Sequence, residues 1–252
     1  MKNELEKISI IISTLNCKKT IKKCLDSCLS QDYPNKEIIV IDGKSEDGTV
    51  DILKDYKNEN FLFLSEKDKS IYEAWNKALL ISKGEWLCFL GADDYWSSDS
   101  SLKLLKNEVN KKSINYASGK VRVIDIGTKK SFLMGSEWNF NKLDNNITVA
   151  HPGSLHHKSL FKKFGLFNED YKIAGDHEFL IRVGRNIEAV FFDREIIVML
   201  NSGISNKKSM LAFYESAKAL KNNKNFGFIK GLKFFIRSIV KYYAKKILWI
   251  KK

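Results

Sequence analysis

Over the first ninety residues, short continuous apolar runs alternate with amphipathic stretches, and this alternation restricts the possible folds more than any other feature. "ISIIIS" (8–13), "EIIVID" (37–42), "FLFLS" (61–65) and "EWLCFL" (85–90) read as strands buried on both faces. Between them, residues 18–30, 49–56 and 71–82 read as helices. Strand and helix at this spacing predict an α/β fold with a mainly parallel, Rossmann-like sheet flanked by helices. Such sheets bind ligands beyond the carboxyl ends of their strands. The expected rim gathers Thr14 and Asn16, Asp42 and its loop, Glu66 and Asp68, then Asp93 and Asp94.

Two of these acids are adjacent, in "FLGADDYW" (89–96). Neighbouring carboxylates repel, so solvent, a basic group or a divalent cation must offset them. Each rim residue also has a plainer reading: Asp before Gly is a common turn, and "EDGT" (46–49) can cap a helix. Their meeting on one edge favours a binding site. The first strand is followed by "STLNCKKT" without a glycine, so neither a dinucleotide fingerprint nor a phosphate loop is present. A bound diphosphate would need its positive charge from elsewhere, and a metal on Asp93 or Asp94 would supply it.

At 252 residues and 44% hydrophobic, the chain can bury one large core. Cys17, Cys24, Cys28 and Cys88 form no CxxC pair, which points to reduced cytosolic thiols rather than a disulfide framework. Acids precede the first apolar run, as in a strand and not a signal peptide, so export is not expected.

Five stretches in order, "ISIIISTLN", "EIIVIDGKSEDGT", "SEKDKSIYEAWNKAL", "KGEWLCFLGADDYW" and "GLFNEDYKIAGDHEFLIR", resemble glycosyltransferase family 2 over about residues 8–200. That resemblance implies the GT-A fold, a nucleotide-sugar donor (by default a UDP-sugar), Mn2+ or Mg2+, and inversion at the transferred sugar. Two positions depart from the family pattern. Gly43 stands where a second acid is common, leaving Asp42 for the nucleoside, and Gly91 stands at the first position of the Asp-x-Asp signature, whose last is Asp93. Metal ligation then falls to Asp93, Asp94 or both. Glu66 and Asp68 belong near the nucleoside by the same resemblance. Asn76 and Lys77 read either as donor contacts or as solvated helix positions, and Trp75 and Leu79 as core.

Displacing a nucleoside diphosphate requires neutralising the leaving group and removing a proton from the attacking hydroxyl. For the base, "AGDHEFLIRVGR" (174–185) offers Asp176 at the start of a helix, where it could also serve as a cap, with Glu178 second. "AHPGSLHHKSLF" (150–161) holds His151, His156 and His157. No ligand spacing supports zinc, and the resemblance places His151 on the acceptor side, with a buried structural imidazole as the alternative.

The expected organisation is a catalytic region over 1–224, with a donor half (1–95) and an acceptor half (96–224), followed by a basic tail (225–252). Residues 230–252 hold eight of the Lys and Arg and no acids, in a chain of net charge +13. On a helical wheel Ile229, Leu232, Ile236, Ile239, Tyr243, Ile247 and Ile250 form a stripe opposite Lys230, Lys233, Arg237, Lys241 and Lys245. Charges this frequent exclude a spanning helix, and residues 226–252 fit a helix lying on an anionic membrane. With the resemblance, that places a cytoplasmic, peripheral enzyme on the inner face of the membrane, acting on a glycan or lipid-linked acceptor in cell-surface polysaccharide synthesis. The alternative packs the stripe on the catalytic region. A nucleic-acid partner is not expected, because the acidic rim would repel phosphate backbones. A scaffold that has lost catalysis is a further reading, motivated by Gly43 and Gly91.

Overall fold

The computed structural model describes residues 5–109, 113–145, 149–201 and 209–250, with side chains described as far as 244. Strand β1 (Ile8–Thr14) lies parallel to β2 (Lys36–Asp42) and to β4 (Trp86–Gly91), and β2 lies parallel to β3 (Phe61–Ser65). Helices α1 (Ile21–Leu29), α2 (Thr49–Asp55) and α3 (Ile71–Ile81) make the crossovers. The rest of the chain adds β5 (Tyr95–Trp96), β6 (Tyr116–Ile124), β7 (Ser131–Met134), β8 (Leu155–His157) and β9 (Ala189–Leu200). Among the described residues the sheet runs β3-β2-β1-β4-β8-β6-β9-β5, with β7 on β6. It is mixed: β8 is antiparallel to both of its neighbours, whereas β6 and β9 are parallel.

Both faces are covered because successive side chains alternate across a strand. From β1, Ile11 enters a core with α3, α5 (Lys158–Phe164), α6 (Gly175–Val183), α7 (Ser209–Asn222) and Phe234 of α8 (Gly227–Ile250). Ile8, Ile10 and Ile12 enter the other, against α1 and α4 (Ser101–Asn107). Each core draws on residues from both sides of position 95.

One strand departs from expectation. β3 is an edge strand, and Leu62 and Leu64 are exposed rather than buried. Among the described residues only β2 pairs with it, and its apolar run reflects β propensity at an edge rather than two-sided burial.

The described part of α8 divides the expected tail stripe from the core. Gly231 and Phe234 are buried, while Ile229, Leu232, Ile236 and Tyr243 face outward, joined by Phe228 and Val240. Ile239 is half-buried, and the side chains of Lys245, Ile247, Trp249 and Ile250 lie outside the described residues. Among the described residues no helix is long and apolar enough to cross a membrane.

Candidate active site

Strand register aligns the rim. Thr14 pairs with Asp42, Asp42 with Ser65, and Ser13 with Gly91, so four strands end level. Asp42 is fully buried, and its carboxylate accepts bonds from the Ser45 amide (2.9 Å), the Ser45 hydroxyl (2.5 Å) and the Ser65 hydroxyl (2.6 Å). Asn16, in the left-handed region at φ 53°, reaches across to the same loop. Its side-chain oxygen accepts from Glu46 N–H at 2.9 Å, and its own N–H donates to Ser45 Oγ at 2.7 Å. The loop after β2 is thereby closed over the end of β1. Asp47 accepts from Thr49 N–H at 3.0 Å and so serves the start of α2.

Asp68 stands next to this loop. A Cβ added at Gly43 would lie 3.1 Å from Asp68 Oδ2, so the missing second acid leaves room for this carboxylate. Burial raises the Asp68 pKa. Lys77 opposes that shift, while Glu73, Asp42 and Glu66 reinforce it. Lys77 pairs with Glu66 at 3.0 Å and Glu73 at 3.4 Å, providing the cation among these acids.

Asn76 serves another purpose. Its amide donates to Phe167 O and Glu169 Oε1 at 2.9 Å and accepts from Phe167 N–H at 3.0 Å, so it clamps α3 to the 167–169 segment. Trp75 is buried, as its helical spacing implies.

The paired acids differ sharply in environment. Asp93 is half-buried, and Asp94 is buried with Oδ2 accepting from Gly91 N–H at 3.0 Å. Its Oδ1 is buried without a hydrogen-bond partner. Burial, then the neighbouring Asp93 charge, push the Asp94 pKa up to about 8, against a smaller opposing pull from Gly91 N–H. A buried, unsatisfied carboxylate oxygen next to a second carboxylate suits a hard divalent cation. Among the described residues no three His, Cys, Asp or Glu side chains form a site able to hold a metal alone. Two protein carboxylates completed by water and substrate phosphate would be the arrangement usual for Mg2+-like ions.

Asp176 is the second residue of α6, and α6 has no side-chain N-cap bond. Its carboxylate instead meets Tyr72 Oη at 3.1 Å. A Cβ on Gly175 would fall 2.8 Å from the Tyr72 ring, so this approach of α3 to α6 needs glycine. Burial raises the Asp176 pKa, opposed by the His177 N–H, the His177 imidazole and the Tyr72 hydroxyl. Glu178 does not join it. Two residues along a helix turn the side chain about 200° away, and Glu178 is held by Arg182 at 2.9 and 3.1 Å.

His151 stacks on Trp75, ring centroids 5.3 Å apart, and burial lowers its pKa to about 3. It is a neutral imidazole in an aromatic box that includes Phe89 and His156.

Residues 9–170 match the family model described as glycosyl transferase family 2. The chain belongs to glycosyltransferase family 2. A Methanococcus voltae relative, dolichyl N-acetyl-alpha-D-glucosaminyl phosphate 3-beta-D-2,3-diacetamido-2,3-dideoxy-beta-D-glucuronosyltransferase, is 29% identical over 247 residues, covering 87% of this chain and 75% of the relative. Among solved structures, S. aureus TarS 1-349 in complex with UDP-GlcNAc superposes with TM-score 0.71 at 20% identity, covering 94% of this chain and 73% of that one. Pyrobaculum calidifontis mannosyltransferase PcManGT, with GDP-Man and Mn2+, gives TM-score 0.70 at 16% identity, covering 92% and 70%. These structural likenesses establish a GT-A fold.

Family 2 motifs do not mark every residue that shapes this glycosyltransferase site. Ser45 and Ser65, which hold Asp42, follow strand ends, and their positions could have flagged them. Tyr72 lies inside "IYEAWNKAL" and reads as ordinary helix core until α6 is placed against it. Glu215 lies in a helix that carries no motif at all.

Proposed function

We propose that the chain transfers a sugar from a UDP-sugar to a lipid-linked saccharide, with inversion, in cell-surface polysaccharide synthesis. The observation that carries this reading is the half-buried Asp176 carboxylate, raised in pKa by burial and set against Tyr72 Oη. A carboxylate whose pKa is raised holds an accepted proton more tightly. Residues 1–95 bind the donor and 96–224 the acceptor, while 225–252 hold the enzyme to the membrane.

Thr14, Asn16, Asp42, Glu66, Asp68 and Lys77 surround the nucleoside, with Asp42 and the loop after β2 fixed in advance by Ser45, Ser65 and Asn16. Asp93 and Asp94 would hold the metal; a bound Mn2+ or Mg2+ would supply the positive charge that steadies a departing diphosphate. Asp176 removes the acceptor proton and directs the attack to the face opposite the leaving group. The Tyr72 hydroxyl, 2.6 Å from Ile173 O and 3.1 Å from Asp176 Oδ1, has one hydrogen to donate between them and holds the base in place. His151 lines the acceptor side as a neutral group.

The names of similar proteins favour these choices: the M. voltae relative acts on a dolichyl-linked substrate, and S. aureus TarS was solved with UDP-GlcNAc. Phe228, Ile229, Leu232, Ile236 and Val240 expose an apolar stripe flanked on the helical wheel by Lys233, Arg237 and Lys230, which suits a peripheral helix on an anionic inner membrane face. Asp176→Asn tests the central assignment. Transfer should be lost while UDP-sugar affinity with Mn2+, read by calorimetry, stays near that of the wild type; activity within a few-fold of wild type rules out this base.

A further inference from the structure

Glu215 on α7 is buried, and within the hydrogen bonds of the fold it serves a single stretch of backbone. Its carboxylate accepts from three successive amides: Lys172 N–H at 2.8 Å, Ile173 N–H at 2.8 Å and Ala174 N–H at 2.9 Å. Consecutive amides converging on one anion form a nest, and bonds to a carboxylate are stronger than neutral ones. Nothing in the family resemblance reaches this residue.

The stretch held in this way leads directly into the site. Ala174 is the N-cap of α6, on which Asp176 sits two positions later. Ile173 O accepts the Tyr72 hydroxyl at 2.6 Å, and the same hydroxyl oxygen lies 3.1 Å from Asp176 Oδ1. A phenol has one hydrogen to donate. That one hydrogen is contested between Ile173 O at 2.6 Å and Asp176 Oδ1 at 3.1 Å. The orientation of the Ile173–Ala174 peptide therefore sets how fully Tyr72 donates to Asp176, and the Ala174 N–H of that same peptide is one of the three amides that Glu215 fixes.

We propose that Glu215 is a positioning residue for the base: through the amides of residues 172–174 it fixes the Ile173 carbonyl, and through Tyr72 it sets the hydrogen bonding of Asp176. The proposal rests on the reading of Asp176 as the base. It also gives α7, the helix against which α8 packs, a chemical connection to the reaction.

The test uses full-length protein carrying Glu215→Gln, Glu215→Asp or Tyr72→Phe, with donor affinity, kcat and the pH profile of kcat measured in Mn2+. Glu215→Gln replaces one oxygen by an amide donor facing backbone N–H groups. Its kcat should fall about ten-fold or more at unchanged donor affinity, with the acid limb displaced by about half a pH unit or more. Glu215→Asp, which keeps the charge, should recover part of that loss. Tyr72→Phe keeps the buried ring and cuts the last link, so it should displace the same limb. An unchanged pH profile in Tyr72→Phe overturns the proposal even if the Glu215 variants fail to fold. A Glu215→Gln enzyme with wild-type kcat, or with lowered kcat and an unmoved profile, overturns it as well. If Asp176→Asn is inactive in the same assays, such a failure falls on Glu215 alone and leaves the base assignment standing.

Discussion

Asp94→Asn should make the metal-free protein more stable and the enzyme worse. The folded Asp94 has its pKa pushed up to about 8 from an ordinary 3.8, chiefly by burial. A raised acid binds its proton more tightly in the folded state, so folding takes up a proton wherever the unfolded carboxyl is ionised. Stability should therefore fall as pH rises from about 4 to about 8 and level off above, where both states are ionised. At pH 7 this amounts to roughly 4 kcal/mol, at 1.36 kcal/mol per pKa unit. Asparagine is neutral in both states and removes that slope. Its amide leaves one more buried hydrogen without a partner, at a cost of about 1–3 kcal/mol. The net gain is on the order of 1–3 kcal/mol, or about 2–10 °C in Tm for a chain of this size.

Thermal unfolding of both proteins in EDTA from about pH 5 to about pH 9 measures the effect, and the difference between them isolates Asp94 from every other titrating group. The gap should widen up to about pH 8 and then hold. Saturating Mn2+ should raise the wild-type Tm and move Asp94→Asn much less, because a ligand stabilises only the state that binds it. A variant less stable than wild type at pH 7.5 in EDTA, with a gap that does not grow with pH, would refute the picture of a buried acid awaiting a cation.

Gly175→Ala places a methyl group 2.8 Å from the Tyr72 ring; the fold should lose about 1–3 kcal/mol, and kcat should fall while donor affinity, read by calorimetry, holds. His151 is buried with its pKa lowered to about 3, so it must take up a proton on unfolding below pH 6.5 and stability should fall as pH drops from there. His151→Phe keeps the stacking and should reduce that loss by about 2–3 kcal/mol between pH 7 and pH 4.5, measured by urea unfolding at both. Ile236→Asp on the exposed stripe should release the protein from anionic liposomes in a sedimentation assay without changing its Tm; unchanged co-sedimentation would end the membrane assignment.

The rim at the strand ends was legible from sequence because its parts are local. Each of β1, β2 and β4 is a short apolar run with a polar group at its end, and parallel register brings those ends level without further information. β3 was misread in burial for the same reason: a local apolar run looks alike at the centre and at the edge of a sheet, and only the strand order separates them. The strands after β4 are less readable, since β8 is three residues long, β9 pairs in parallel with β6 through a register shift, and their partners lie far apart in sequence. Asn76 shows the limit clearly. Its position on α3 suggested a donor contact, yet its amide is used 91 residues away on Phe167.

That displacement reveals what α3 does. One face carries Lys77, which balances Glu66 and Glu73 beside Asp68; another carries Tyr72 and Asn76, which hold Asp176, the Phe167 backbone and the Glu169 carboxylate. A helix spaced in this way fixes Glu66 and Asp68 relative to Asp176 through a handful of bonds, within one continuous core that includes Trp75, Phe89, Phe167 and Phe179. Positioning on that scale matters to the proposed transfer, because a misplacement of about 1 Å in a catalytic geometry can cost roughly a hundred-fold in rate. Asp94 and Asp176 are both raised by burial, but their neighbours differ: Asp94 lies next to a second carboxylate that favours a cation, and Asp176 next to a phenol that can donate to it. Burial alone would make either acid inert; the neighbour decides what each can do.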